Sequence, residues 1–217
     1  MTLEEAIAKI KPLDHNAMEI AQKRWDSIAK PLHSLGKLET LLIQIAGITG
    51  NAEVDLSRRG LIAMCADNGV VEEGVTQTGQ EVTAIVAENF LKYDTSVGVM
   101  CKQNHVEIFP VDMGMVTDTK VRTDHKIAYG TQNMTKGPAM TREQAVKGLE
   151  AGIDMVRELN DKGYRILATG EMGIGNTTTS SAVASVLLKQ PVEEMTGRGA
   201  GLTSEGLVRK INAIKKA

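Results

Sequence analysis

The 217-residue sequence is poor in aromatic residues and carries almost no net charge. Aromatic side chains make up only 3% of it, too few to form a stacking platform for single-stranded nucleic acid. The formal net charge of −2 gives no reason to predict nucleic acid or an anionic membrane as a partner. No apolar run reaches the roughly 18 residues that a membrane span needs, and the first residues, MTLEEAIAKI, are acidic rather than basic. We therefore expect a cytoplasmic protein whose partner is a small molecule.

Cysteine and histidine are also scarce. Cys65 and Cys101 lie in apolar settings without a CxxC pair, so we expect buried, inert thiols. The four histidines are scattered along the chain: His15, His33, His105 and His125. Because their spacing does not suit a metal site, we predict no metal and no cofactor.

The hydrophobic pattern divides the chain near residue 50. Residues 1–50 place apolar side chains at helical spacing, which predicts a small N-terminal helical subdomain. Within it, the spacing in the segment 18–29 predicts that Ile20, Trp25 and Ile28 form one buried face.

Residues 51–217 instead alternate short apolar runs with longer helical segments, as in βαβ units. The predicted strands cover residues 60–65, 106–111 and 164–168. We expect a three-layer α/β/α domain with a mostly parallel, Rossmann-like sheet covered on both faces. Ligands of such sheets bind beyond the carboxyl ends of the strands, so the loops that follow these strands are predicted to line the site.

One of these loops is a glycine-rich turn, GEMGIGNTTT, that opens a helix of small residues. Gly170, Gly173 and Gly175 are predicted to adopt positive φ and to let the backbone approach a ligand. Asn176 and the threonines after it would supply donors at the helix N-terminus, where an anion binds favourably. The turn predicts a phosphate site, although a plain strand-to-helix turn with capping threonines would use the same residues.

The turn nearly matches the triphosphate-binding pattern GxxxxGK[ST], but Asn176 occupies the lysine position. That lysine reaches the β and γ phosphates, so its absence favours a single phosphate. Glu171 would repel a polyphosphate but could accept hydrogen bonds from ribose hydroxyls. We interpret the pattern as a sugar monophosphate site, and the dinucleotide pattern GxGxxG is absent from the turn.

Three further residues are candidates for the same site. Asp67 and Asp112 directly follow predicted strands, where they could accept hydrogen bonds from a ligand or stabilise a turn. Arg198 lies between two glycines and could neutralise a phosphate or a carboxylate, or it could be an ordinary surface arginine.

Five segments together resemble one enzyme family in their order along the chain. They are KPLHSLGKLE at 30–39, ADNGVVEEGVTQTGQEVTA at 66–84, PVDMGM at 110–115, GEMGIGNTTTSSAV at 170–183 and GRGAGL at 197–202. The sequence is similar, over roughly residues 20–217, to nicotinate-nucleotide:dimethylbenzimidazole phosphoribosyltransferases, which make the lower-ligand nucleotide of cobalamin. The resemblance implies transfer of the 5-phosphoribosyl group of nicotinate mononucleotide to a benzimidazole base with inversion at C1′, in a homodimer that needs no metal.

The resemblance also implies roles for individual residues. The phosphate would be bound by Gly173, Gly175, Asn176, Thr177 and Thr178. Glu171 would lie close to the ribose and the reacting bases. The same nucleotide pocket would include Asp67, Arg198, Gly199 and Gly201. Thr78 and Val86 fall in the base-recognition stretch, where some relatives have serine or tyrosine and glutamine.

The sequence departs from the family pattern at other positions as well. Many relatives have DHG where this chain has Asp67, Asn68 and Gly69, and PPGSLG where it has PLHSLG at 31–36. Family members are longer, and their catalytic glutamate lies in an LGEGxGA segment that does not occur in these 217 residues. Two functions therefore stay open: a phosphoribosyltransferase, or a ribose-monophosphate binding module without the general base.

Overall fold

The computed structural model describes residues 1–217 and divides them into two compact units. The first comprises Met1–Ser57 and the second comprises Arg58–Ala217. The division therefore falls after the boundary at residue 50 that the hydrophobic pattern predicts.

The first unit consists of three helices: α1 (Leu3–Ala8), α2 (His15–Ser27) and α3 (Lys37–Thr49). Asp14 caps α2, since its carboxylate accepts a hydrogen bond from the N–H of Ala17 at 3.0 Å. The predicted buried face of α2 is wrong, because Ile20 is 49% and Ile28 46% exposed. The buried residues of α2 are instead small, Ala17 and Ala21, and they let it pack closely against α3.

The second unit is built on a three-stranded parallel sheet. Its strands are β1 (Arg59–Ala66), β2 (Val106–Gly114) and β3 (Ile166–Met172), in the order β2-β1-β3. The central strand β1 is almost continuously apolar, as expected of a parallel strand that is buried on both faces. The carboxyl ends of all three strands consequently lie at one edge of the sheet.

Helices cover both faces of this sheet. On one face, Ala63 and Cys65 pack in a cluster with residues of α4 (Glu81–Lys92) and α5 (Ser96–Gln103). On the other face, Ile62 packs with Met155 and Leu159 of α6 (Arg142–Asp161). The predicted three-layer α/β/α class is confirmed. Helix α5 has no counterpart in the sequence prediction, because its eight residues include a glycine and two valines that weaken the helical signal.

Three helices follow β3: α7 (Asn176–Leu188), α8 (Val192–Met195) and α9 (Ser204–Lys216). Thr203 caps α9 by accepting a hydrogen bond from the N–H of Gly206 at 3.1 Å. Helix α7 carries apolar residues on all sides, and Val186, Leu187 and Leu188 are largely exposed. None of the helices is both long and apolar enough to cross a membrane.

Both cysteines are buried, as predicted. Burial raises the pKa of the Cys65 thiol to about 12 and also raises the pKa of the Cys101 thiol. Burial thus favours the protonated form of both thiols, whereas the thiolate is the reactive form of cysteine.

Candidate active site

A cavity of about 170 Å³ opens at the carboxyl end of β3, whose last residue, Met172, lines it. Seven of the predicted site residues line it: Thr78, Gly173, Gly175, Asn176, Thr177, Arg198 and Gly199. Residues of three separate segments, 75–78, 172–177 and 198–210, meet there. The fold thus brings the glycine turn and the GRGAGL segment together, as the ligand-site hypothesis expects.

The glycine turn is built around two glycines with different tasks. Gly175 has a φ of +94°, in the region that L-residues rarely adopt, and it directly precedes α7. Gly173 has no positive φ, but a β-carbon at this position would overlap the carbonyl oxygen of Ala66. Gly170 still belongs to β3 and has no positive φ either. The prediction of positive φ is therefore confirmed for Gly175 and wrong for Gly170 and Gly173.

Some N–H groups of the turn are satisfied within the protein and others are not. The N–H groups of Thr178 and Thr179 both donate to the carbonyl oxygen of Gly175, at 2.9 and 3.3 Å. The N–H of Asn176 donates to Gly173 at 3.0 Å. The N–H groups of Gly175 and Thr177 have no hydrogen-bond partner, and both residues line the cavity. Two main-chain donors at the N-terminus of α7 are thus open to a ligand.

A buried lysine lies at the same cavity. Lys210 of α9 is only 1% exposed, and its Nζ donates to the hydroxyl of Thr177 at 2.8 Å and to the carbonyl oxygen of Gly197 at 3.2 Å. Burial disfavours the ammonium and lowers the pKa of Lys210. A cation with no carboxylate partner, next to two unpaired N–H groups, is electrostatically suited to bind an anion.

Sequence reasoning missed Lys210, although a signal existed. Helix α9 is amphipathic, and its buried residues are Gly206, Lys210, Ala213 and Ile214. A lysine on the apolar face of a helix is unusual enough to mark a functional position.

Arg198 contacts its own turn. Its guanidinium donates to the carbonyl oxygen of Leu202 at 2.8 Å and to the hydroxyl of Ser204 at 3.2 Å. Arg198 therefore stabilises the entry to α9 while it also lines the cavity. Of the two basic residues at the cavity, Lys210 is the more deeply buried.

Glu171 stands at the end of β3, and its carboxylate accepts a hydrogen bond from the side-chain amide of Asn176. The surroundings desolvate this carboxyl group and raise its pKa, while the contact with Asn176 acts in the opposite direction. The residue lies next to Met172 and Gly173, which line the cavity. The role of Glu171 in substrate binding stays a prediction.

The remaining predicted residues lie outside the cavity lining. Asp67 is buried, and its carboxylate accepts a hydrogen bond from the N–H of Val116 at 2.8 Å. The carboxylate of Asp112 accepts hydrogen bonds from the N–H groups of Gly114 and Met115 at 2.9 and 2.7 Å, as in a turn, and forms an ion pair with Lys126 at 3.2 Å. Val86 packs against the apolar cluster between the sheet and helices α4 and α5.

Thr178 is fully buried in α7, one residue beyond Thr177, and Gly201 accepts a hydrogen bond from Gln77 at 2.6 Å. Their roles in substrate binding stay predictions. The structure brings together no group of three or more histidine, cysteine, aspartate or glutamate side chains that could hold a metal ion.

The fold and the cavity together indicate the class of protein to which the chain belongs. A parallel sheet with helices on both faces and an anion-binding helix N-terminus at the carboxyl ends of its strands is typical of nucleotide-binding α/β domains. The family model DBI_PRT, described as phosphoribosyltransferase, matches residues 10–217. The chain belongs to this phosphoribosyltransferase family.

Individual relatives agree with this assignment. The nicotinate-nucleotide–dimethylbenzimidazole phosphoribosyltransferase of Ruminiclostridium cellulolyticum is 51% identical over 219 residues, which cover 100% of this chain and 62% of the relative. The enzyme of the same name from Clostridium tetani is 46% identical, with 99% of this chain and 60% of the relative covered. The crystal structure of CobT from Thermus thermophilus superposes with a TM-score of 0.85 at 36% identity, covering 93% of this chain and 62% of that one. The chain thus spans about three fifths of the length of these relatives.

Proposed function

We propose that the protein transfers the 5-phosphoribosyl group of nicotinate mononucleotide to 5,6-dimethylbenzimidazole or a related base. The products are α-ribazole 5′-phosphate and nicotinate, in the assembly of the nucleotide loop of cobalamin. The names of the relatives and the family membership support this reaction. The observation that carries the proposal is the buried Lys210 beside the unpaired N–H groups of Gly175 and Thr177.

These groups would bind the 5′-phosphate of the nucleotide. A phosphate monoester carries between one and two negative charges at neutral pH, which the ammonium of Lys210 would partly neutralise. The two N–H groups would donate to phosphate oxygens at the N-terminus of α7, where the helix dipole also favours an anion. The cavity of about 170 Å³ suits a single phosphate and part of its sugar better than a triphosphate.

The reaction exchanges one C–N bond at C1′ for another. The bond between C1′ and the pyridine nitrogen of nicotinate breaks, and that nitrogen leaves with the bonding electrons as a neutral ring nitrogen. A nitrogen of the benzimidazole attacks the opposite face of C1′, and the proton of the azole N–H passes to a base. Glu171 would contact the ribose in this scheme. The resemblance assigns the role of main base to the glutamate of the LGEGxGA segment, which does not occur in these 217 residues.

Calorimetry on the 217-residue chain tests binding, and we expect nicotinate mononucleotide to bind. Chromatography tests the reaction, and we expect α-ribazole 5′-phosphate from dimethylbenzimidazole and the nucleotide when the protein also carries the LGEGxGA segment of the family. Binding without product in that longer protein would support only a ribose-monophosphate module, and no binding of the nucleotide would refute the proposal. A homodimer and a cytoplasmic location are further parts of it, which light scattering and cell fractionation test.

A further inference from the structure

Two side chains from outside the glycine turn form hydrogen bonds with the backbone of Ile174, the residue before Gly175. One accepts from its N–H and the other donates to its carbonyl oxygen. The N–H of Ile174 donates to the hydroxyl of Thr83 at 3.0 Å. The carbonyl oxygen of Ile174 accepts a hydrogen bond from the side-chain amide of Asn68 at 3.1 Å. Thr83 belongs to the first turn of α4, and Asn68 follows β1, so the turn is held from two separate elements.

Both side chains are themselves buried and fixed. Thr83 is fully buried and Asn68 is 9% exposed. The side-chain oxygen of Asn68 accepts from the hydroxyl of Thr179 at 3.3 Å, and its backbone carbonyl accepts from Gln80 at 3.1 Å. Water therefore competes poorly for these hydrogen bonds, and the conformation of Ile174 is closely determined.

The fixed backbone of Ile174 restricts the orientation of the residues that follow it in the turn. Because the N–H and the carbonyl oxygen of Ile174 are both satisfied by side chains outside the turn, the backbone at Ile174 cannot rotate without losing two hydrogen bonds. The N–H groups of Gly175 and Thr177, one and three residues further along the chain, are left unpaired at the cavity. Donors that are oriented before a ligand arrives bind an anion more tightly than donors that must be ordered first.

We propose that Thr83 and Asn68 are positioning residues that orient the N–H groups of Gly175 and Thr177 toward the phosphate. Neither side chain lines the phosphate cavity, so both act through Ile174. The inference rests on the proposed function, because it assumes that the phosphate of a ribonucleotide binds in that cavity. It adds a role for two positions that the sequence patterns assigned to no ligand.

The test compares the binding of nicotinate mononucleotide with that of nicotinate riboside, the nucleoside without the phosphate. Thr83→Val keeps the shape of the side chain but removes the acceptor for Ile174, whereas Thr83→Ser keeps the hydroxyl. We expect Thr83→Val to weaken binding of nicotinate mononucleotide about 10- to 100-fold, the value of one hydrogen bond to a charged group. Binding of nicotinate riboside should change less than about threefold, and Thr83→Ser should restore nucleotide affinity. Thr40→Val, at an exposed position of α3, is the matched control.

Asn68→Ala provides a second variant, which tests the inference even if Thr83→Val fails to fold. Equal losses of nucleotide and nucleoside affinity would overturn the inference, because a general structural defect affects both ligands. Unchanged nucleotide affinity in both variants would also overturn it while leaving the proposed function intact. If the unmodified chain binds inorganic phosphate but not the nucleotide, the proposed function fails, and phosphate affinity of the same variants then decides the positioning role. Binding of neither ligand would refute both.

Discussion

Replacing Lys210 by methionine separates the phosphate site from the fold. Methionine has a similar length and no charge, so the variant removes the ammonium while filling much of the same buried volume. Loss of a charged hydrogen bond to a phosphate costs about 1.5–3 kcal/mol. We therefore expect the Kd of nicotinate mononucleotide to rise about 10- to 100-fold.

The pH dependence of binding provides a second measurement on the same pair of proteins. Burial lowers the pKa of Lys210 in the free protein, and a bound phosphate would raise it again by attraction. Lys210 therefore loses its charge at a lower pH than an exposed lysine, and nucleotide affinity should fall as the pH rises through that lowered pKa. The Lys210→Met variant should lack this fall.

The same shift predicts the direction of a stability change. Because the folded-state pKa of Lys210 lies below the unfolded value of about 10.4, the unfolded chain binds more protons in between. Unfolding free energy should therefore rise with pH across this interval in the unmodified protein but not in the variant.

Calorimetric titrations between neutral and alkaline pH, with urea unfolding in parallel, measure these effects. Lys216→Met, at an exposed position of the same helix, is the control for loss of one positive charge. Nucleotide affinity that is unchanged in Lys210→Met would refute the assignment of the phosphate to this cavity. A loss of affinity that matches a general loss of folded protein would refute it as well.

Three further substitutions test the turn, the carboxylate and the helical unit. Gly175→Ala should lower the unfolding free energy by about 1–2 kcal/mol and weaken nucleotide binding at least tenfold, because φ is +94° and the new β-carbon would lie 3.0 Å from Val71. Gly148→Ala, in open space on α6, should instead stabilise by about 0.5–1 kcal/mol, and equal effects in thermal melts would contradict the argument. Glu171→Gln retains a side-chain oxygen near Asn176, so affinity for inorganic phosphate should stay within about threefold while affinity for the nucleotide falls; a large loss of phosphate binding would show that Glu171 shapes the turn. His33→Gly should stabilise the helical unit by about 0.5–1 kcal/mol, because His33 has a φ of +57°, which glycine adopts without strain, and His33→Ala should not. Trp25, the single tryptophan, reports unfolding of this unit by fluorescence. A His33→Gly variant that is less stable than the unmodified protein would disprove backbone strain at His33.

Local pattern was sufficient for much of the fold. Alternating strands and helices indicated the α/β class, because parallel strands that are buried on both faces need continuous apolar runs. The local pattern failed to predict the packing of α2. Ile20 and Ile28 have the spacing of one helix face, but small alanines form the contact with α3. Spacing identifies which residues share a face, whereas the close approach of two helices decides which face is buried.

The conformation of the glycine turn was also predictable from the sequence alone. Gly175, Asn176 and Thr177 are adjacent in the chain, and the dihedral angle and the helix N-terminus that they form are local properties. The side chains that surround this turn, in contrast, come from distant parts of the chain. Lys210 donates to Thr177 from 33 residues away, and Thr83 accepts from Ile174 across 91 residues. Such contacts depend on how α4 and α9 pack at the carboxyl ends of the strands. No residue spacing in the sequence encodes how close their side chains come to the turn.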